Sequence, residues 1–270
     1  MVPHFPLLVL AELRAVFGRA SGKGALALAA LIPAVALYAM HLAQAQAAEA
    51  QVNGLPLSQM LDASWRGVAD WSLTGRNFFL LPLLLVLSAA ATSAGELADN
   101  TLREALTRPV SRLSVLLAKL IALAALSAST LVLTLLPAIA GGAALFATDT
   151  PIGPVALGYA ASFLSDLGLI ALTLLAGVLI RNVGGVVVSV ILFLLVDKAI
   201  GLALKGLGVL GVEGARTAAR FLPGTALACW EGWKVEGAET WPLEPFVGLA
   251  ALFALGIGGA LARFTRMDVP

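Results

Sequence analysis

Long uncharged runs alternate with short polar ones along this chain, and the pattern repeats six times. The apolar runs are residues 25–42, 78–95, 113–146, 155–180, 183–204 and 246–262. Crossing a hydrocarbon core of about 30 Å takes roughly 20 apolar residues as a helix, so each run is a candidate membrane span. The third run is longer than a crossing needs, and Pro137 marks a bend near its far end. The fourth is interrupted only by Asp166, and the fifth carries Asp197 and Lys198 late, which reads as its end meeting the outer interface. Ahead of the first run, Phe5, Leu8 or Val9, Leu13, Val16 and Phe17 fall on one helical face. Residues 1–24 therefore read as an amphipathic interfacial helix, with Arg14, Arg19 and Lys23 suited to an anionic membrane surface. The expected fold is an all-α membrane protein: six transmembrane helices in one domain, residues 1–270, with the interfacial helix in front.

Composition agrees with this pattern. Of 270 residues, 60% are hydrophobic and 12% charged, with a mean hydropathy of +0.95. Soluble domains carry about 25% charged residues. A formal net charge of +1 leaves no basic surface for nucleic acid. One cysteine, Cys229, excludes an intrachain disulfide, and His4 and His41 flank the first span without converging, so no metal site is expected.

The distribution of charge sets an orientation. With both termini on one side, that side holds Arg14, Arg19, Lys23, Arg103, Arg108, Arg112, Lys119, Arg181, Arg263 and Arg266, but only Glu12, Glu96, Asp99, Glu104 and Asp268 as acids. The positive-inside rule then puts both termini in the cytoplasm of a multi-pass protein of the inner (plasma) membrane. Residues 43–77 and 205–245 lie outside, where Trp65, Trp71, Trp230, Trp233 and Trp241 read as helices lying along the outer leaflet, with a substrate-gating lid as the alternative.

Catalytic and nucleotide-binding patterns are missing. "GRASGK", Gly18 to Lys23, has the wrong glycine spacing for a phosphate loop, and Gly24 stands where Ser or Thr is required. No HExxH or GxSxG occurs. The chain is expected to be no enzyme and to bind no cofactor itself. Asp166 is the acid deepest in an otherwise clean span, and a charge at mid-bilayer costs about 2.5–3.5 kcal/mol on insertion scales. It is the candidate for a transport pathway, with Ser162 and Ser165 as available bonding partners.

Polar chemistry concentrates between spans two and three, in "GELADNTLREALTRPVSRLSVLLAKLIA". Thr101 and Glu104 form a capping box, and a short helix follows until Arg108, which Pro109 keeps out of the α region. Ser111 can cap the third span. Leu102 and Leu106, four apart, share a face that fits a groove on a partner. Residues 120–148 are then entirely uncharged.

This stretch resembles the signature of type-2 ABC exporter permeases. Glu96, Thr101, Leu102, Leu106, Arg108, Pro109, Val110, Ser111, Arg112 and Lys119 match it, while Asn100 stands where glycine is common. "FLPGTAL", Phe221 to Leu227, also fits the family. The resemblance implies a cytoplasmic coupling helix between spans two and three, with Glu96, Thr101, Leu102, Arg103, Glu104, Leu106, Arg108, Pro109 and Arg112 as ATPase-coupling residues. It implies an ABC ATPase dimer carrying ATP and Mg, a second permease copy and a periplasmic partner. The absence of a large outer domain is similar to permeases of copper-enzyme maturation systems. The alternatives from the residues alone are a secondary transporter using Asp166 and an ion gradient, or a non-transporting membrane scaffold.

Overall fold

The structure, a computed structural model, describes residues 5–47, 51–52, 55–56, 64–99, 111–146, 152–234 and 244–266. Within them the order is α1 (Phe5–Gly18), α2 (Ala20–Ala47), a two-residue antiparallel ladder β1 (Gln51–Val52) and β2 (Leu55–Pro56), α3 (Trp65–Phe78), and α4 (Leu80–Ala98). There follow α5 (Arg112–Leu145), α6 (Ile152–Ile180), α7 (Val183–Val209), α8 (Ala215–Arg220), α9 (Pro223–Leu227), a 3-10 turn (Cys229–Lys234) and α10 (Glu244–Arg266). Six of these helices, α2, α4, α5, α6, α7 and α10, are long and apolar enough to cross a membrane. They overlap the six expected runs and extend most of them by several residues.

Helix starts follow local chemistry. Ser111 Oγ accepts from Ser114 N at 3.1 Å and opens α5, as its position after Pro109 predicts. Asn182 does the same for α7 at 2.8 Å through Gly185 N, and Ser64 for α3 at 3.2 Å through Gly67 N. Neither Pro33 in α2 nor Pro137 in α5 ends its helix.

Helices α5 and α6 are central, each with 56% of its apolar window buried, against 17% for α7 and α10. Their shared surface holds Leu123, Leu126, Ile170 and Leu174 in one core cluster with Leu81 and Leu85 of α4. At the opposite end Leu73, Leu131, Tyr159 and Trp230 form a second cluster. Leu31 and Val35 of α2, Leu192 and Leu195 of α7, and Val247 and Leu255 of α10 face outward. Apolar side chains facing outward suit a lipid solvent, with each helix satisfying its own backbone.

The N-terminal helix packs as its pattern predicts. Val16 is fully buried, and Leu8, Leu13 and Phe17 pack into the same cluster as Leu116 of α5. Leu7, Leu10 and Arg14 form the opposite, exposed face.

Two expectations about the outer segments fail. Residues 65–78 do not lie across the end of the bundle: α3 runs into it, antiparallel to α5. Trp65 stands against Gly142, where an added Cβ would come within 2.9 Å of the Trp65 Cα, and Arg76 reaches Thr130 at 2.9 Å. The cause is amphipathicity, since Trp65, Val68, Ala69, Ser72, Leu73 and Arg76 share one buried face. Likewise, the segment after α7 turns back inward. Trp230 is buried, and the Cys229 thiol lies 3.3 Å from Ser165 Oγ, next to the midpoint of α6. Asp197 is also not at a span's end. It lies at the middle of α7, buried, and accepts from Gly224 N at 2.7 Å. That carboxylate pins the first turn of α9 by taking the Gly224 N–H, which has no carbonyl within the helix to reach. Lys198 beside it is exposed.

Close packing also fixes the inner part of α4. Ala91–Gly95 forms a wide, π-type turn, and Gly177 of α6 lies directly against it. A Cβ at Gly177 would come within 2.0 Å of Ser93 Oγ and 2.7 Å of its Cβ. Gly177→Ala should therefore destabilise the fold by about 1–3 kcal/mol in detergent unfolding. Gly153→Ala, with open space around it, should leave the unfolding midpoint unchanged.

Candidate functional site

Two buried polar clusters stand out of the apolar bundle, one at the α1 end and one at its middle. A groove of about 250 Å³ between α5 and α6 is lined by Ala128, Leu131, Val132, Leu135, Tyr159 and Phe163 and offers no polar surface. Chemistry has to be sought in the clusters.

At the α1 end, Lys119 reaches from the second turn of α5 to two acids. Its Nζ donates to Glu12 Oε1 of α1 at 2.7 Å and to Glu96 Oε2 of α4. Arg19, between α1 and α2, donates to Glu96 Oε1 at 2.9 Å and to Thr92 Oγ1 at 2.5 Å. Thr92 Oγ1 donates to the Ser88 carbonyl at 2.6 Å, and the Ser88 hydroxyl donates to Ser21 Oγ at 2.8 Å. Two acids and two bases thus tie α1, α2, α4 and α5 together with balanced charge. Lys119 is only 4% exposed, which is tolerable because both its partners are anionic. Burial pushes the Glu12 carboxyl above its ordinary range, against the opposing pull of Lys119. Glu12 Oε2 has no partner.

Nearby, Arg112 Nη1 donates to the Phe264 and Thr265 carbonyls at 2.6 and 3.1 Å, and its guanidinium lies 5.9 Å from the Phe264 ring. A cation on the last carbonyls of α10 stabilises that helix end. Of the residues expected to couple to an ATPase, Glu96 and Arg112 are therefore placed. Thr101, Leu102, Arg103, Glu104, Leu106, Arg108 and Pro109 lie outside the described residues.

The second cluster surrounds Asp166, the midpoint of α6. Helix α6 has 29 residues, about 43 Å at 1.5 Å per residue, so Asp166 is about 20 Å from either end. Its Oδ2 accepts from Arg76 Nη2 at 2.5 Å and from Ser127 Oγ at 2.5 Å. Arg76 also donates to Thr130 at 2.9 Å, Ser162 at 3.1 Å and Asn77 at 2.7 Å. Ser162 and Ser165, available to Asp166 by their spacing, do not bond it directly. Instead Ser162 joins through Arg76 and Asn77, and Ser165 donates to the Ala161 carbonyl at 3.1 Å.

Arg76 is the residue that sequence reasoning missed. It was counted among the outer loop charges, yet its side chain is fully buried. The signal was present in the face it shares with Trp65, Val68 and Leu73, and in the run of Ser127, Thr130 and Thr134 opposite.

Six helices long and apolar enough to cross a membrane, with polar groups gathered at one end and at mid-depth, make this a multi-pass membrane bundle. The chain matches the family model of ABC-2 family transporter proteins over residues 24–198, well over half its length, and it belongs to that family. It is a multi-pass permease subunit of an ABC transporter, and permeases of this family work with a separate ATPase subunit. The match selects no subgroup within the family. It spans α2 to the middle of α7 and so includes Arg76, Glu96, Lys119, Asp166 and Asp197, while Glu12 and Arg19 precede it. No curated protein matches the chain.

Stranding one charge of a buried pair costs more than removing both. Arg76→Met should destabilise the purified protein by about 3–5 kcal/mol, and Arg76→Met with Asp166→Leu should recover most of that loss. Thermal unfolding of the two single variants and the double variant in detergent measures the difference.

Proposed function

We propose that this chain is the permease of an ATP-driven exporter in the inner membrane, with both termini cytoplasmic. A cytoplasmic ATPase dimer, holding ATP and Mg, would drive two permease copies through the segment 100–111. The observation that carries this reading is the bracing of that segment's base. Glu96 lies just before it and Lys119 just after it, and they bond to each other. Through Glu12 and Arg19 the same pair holds α1 and the start of α2. A displacement of the segment would then reach four helices through the ionic contacts they share. The basic residues gathered at this end support its cytoplasmic placement. Thr101, Leu102, Arg103, Glu104, Leu106, Arg108 and Pro109 are the residues that would contact the ATPase.

The family match favours the ATPase-driven reading over an ion-driven carrier built on Asp166.

Purification in mild detergent should recover an ATPase with this chain. Lys119→Met combined with Glu12→Gln, which strands no buried acid at α1, should keep the complex assembled and hydrolysing ATP, while transport per ATP in proteoliposomes falls at least about tenfold. Recovery of the permease without any ATPase, or transport abolished by collapsing the ion gradient, would overturn the reading.

A further inference from the structure

Helix α3 fills the space between the far halves of α5 and α6. Its polar contacts with α6 are the Tyr159 hydroxyl on the Ala69 carbonyl at 3.1 Å, Arg76 on Ser162 and Asp166, and Asn77 on Ser162 at 3.0 Å. At Phe79 the helix breaks, so α3 is a separate rod of 14 residues joined to α4 through one non-helical residue. Its buried face is sealed by Trp65, Val68 and Leu73.

The seal is apolar, yet what lies beneath it is polar. Ser72, Arg76, Ser127, Thr130, Ser162 and Asp166 are all buried at or near the middle of the bundle. A permanent seat for α3 could be made from apolar side chains at lower cost, since burying ions costs desolvation that their attraction barely returns. Neither is this set fully satisfied: Ser72 Oγ and Arg76 Nε are buried without a hydrogen-bond partner. Arg76 meets Asp166 through a single N–H to a single oxygen, rather than by the two-pronged fork that makes the strongest guanidinium–carboxylate pair. Unsatisfied donors and a one-point ion pair describe groups that exchange their partners for water in another state. Ionisable residues inside spans mark transport pathways for the same reason.

We propose that α3 is the gate on the far side of the permease and that Arg76 is the positioning residue that latches it shut, by holding Asp166 and Ser162 of α6. Displacing α3 from α6 opens a route to the far face from the polar groups at mid-bundle. This rests on the reading that the α1 end is cytoplasmic, which makes the far face the outer one.

The test places a cysteine at Ser72 in a Cys229→Ala background and reconstitutes the permease alone in proteoliposomes of defined orientation. A charged, membrane-impermeant methanethiosulfonate reagent is applied from either side. With the native latch, Ser72→Cys labels slowly. Arg76→Gln and Asp166→Asn should each speed labelling at least about tenfold from the outer side only, and Arg76→Lys should restore slow labelling. Where Arg76→Gln does not fold, the native latch with bound ATPase is used, and ATP should speed labelling from the outer side. Equal labelling rates in all variants and with and without ATP overturn the gate; faster labelling from the cytoplasmic side overturns its placement. Because the first arm needs no ATPase, its failure is distinct from a failure of ATPase coupling.

Discussion

Hydrocarbon offers no hydrogen bonds, so every polar group taken into the bundle must find its partner in the protein. The Arg76–Asp166 contact answers that constraint at the point where it is most severe. A carboxylate at the middle of α6 requires a cation, and Arg76, the nearest, is carried by a helix inserted from the far end. Once Arg76 is inside, its remaining donors require Thr130, Ser162 and Asn77. The amphipathic face brings α3 into the bundle, and this pairing fixes its contact with α6.

The same accounting governs the α1 end with a different outcome. There Lys119 and Arg19 meet Glu12 and Glu96 where Glu96 and Arg19 retain partial contact with solvent. Charges at the edge of the bundle keep part of their hydration, so an ionic joint there can rearrange at smaller cost than one at mid-depth. A transporter driven from one end is well served by this gradient: a looser joint where force enters, and a buried latch where the route is closed.

Much of the fold was legible in the residue pattern. Apolar run length alone located the six spans, because a helix must be about 20 apolar residues long to cross. Ser111 was legible as a cap from its place after Pro109, and the face of α1 from its spacing of Leu8, Leu13 and Phe17. The outer segments were misread because hydropathy scores α3 as polar. Its arginine and tryptophans resemble interface residues until the facing Ser127, Thr130 and Ser162 are known to lie opposite. Asp197 was misread for a related reason: charge late in an apolar run looks like the end of a span, whereas here it bonds the backbone of Gly224 from α7's middle.

What the sequence by itself determined, then, is the membrane class, the number of crossings and the charged segment between spans two and three. These depend on local quantities, namely run length, spacing and capping. Tertiary structure alone decided that Lys119 joins Glu12 and Glu96, residues separated by most of the first two spans. It alone decided that Arg76 and Asp166, 90 positions apart, share one contact. No periodicity along the chain encodes such pairs, because the cost of an unpartnered charge in hydrocarbon is settled only when helices meet.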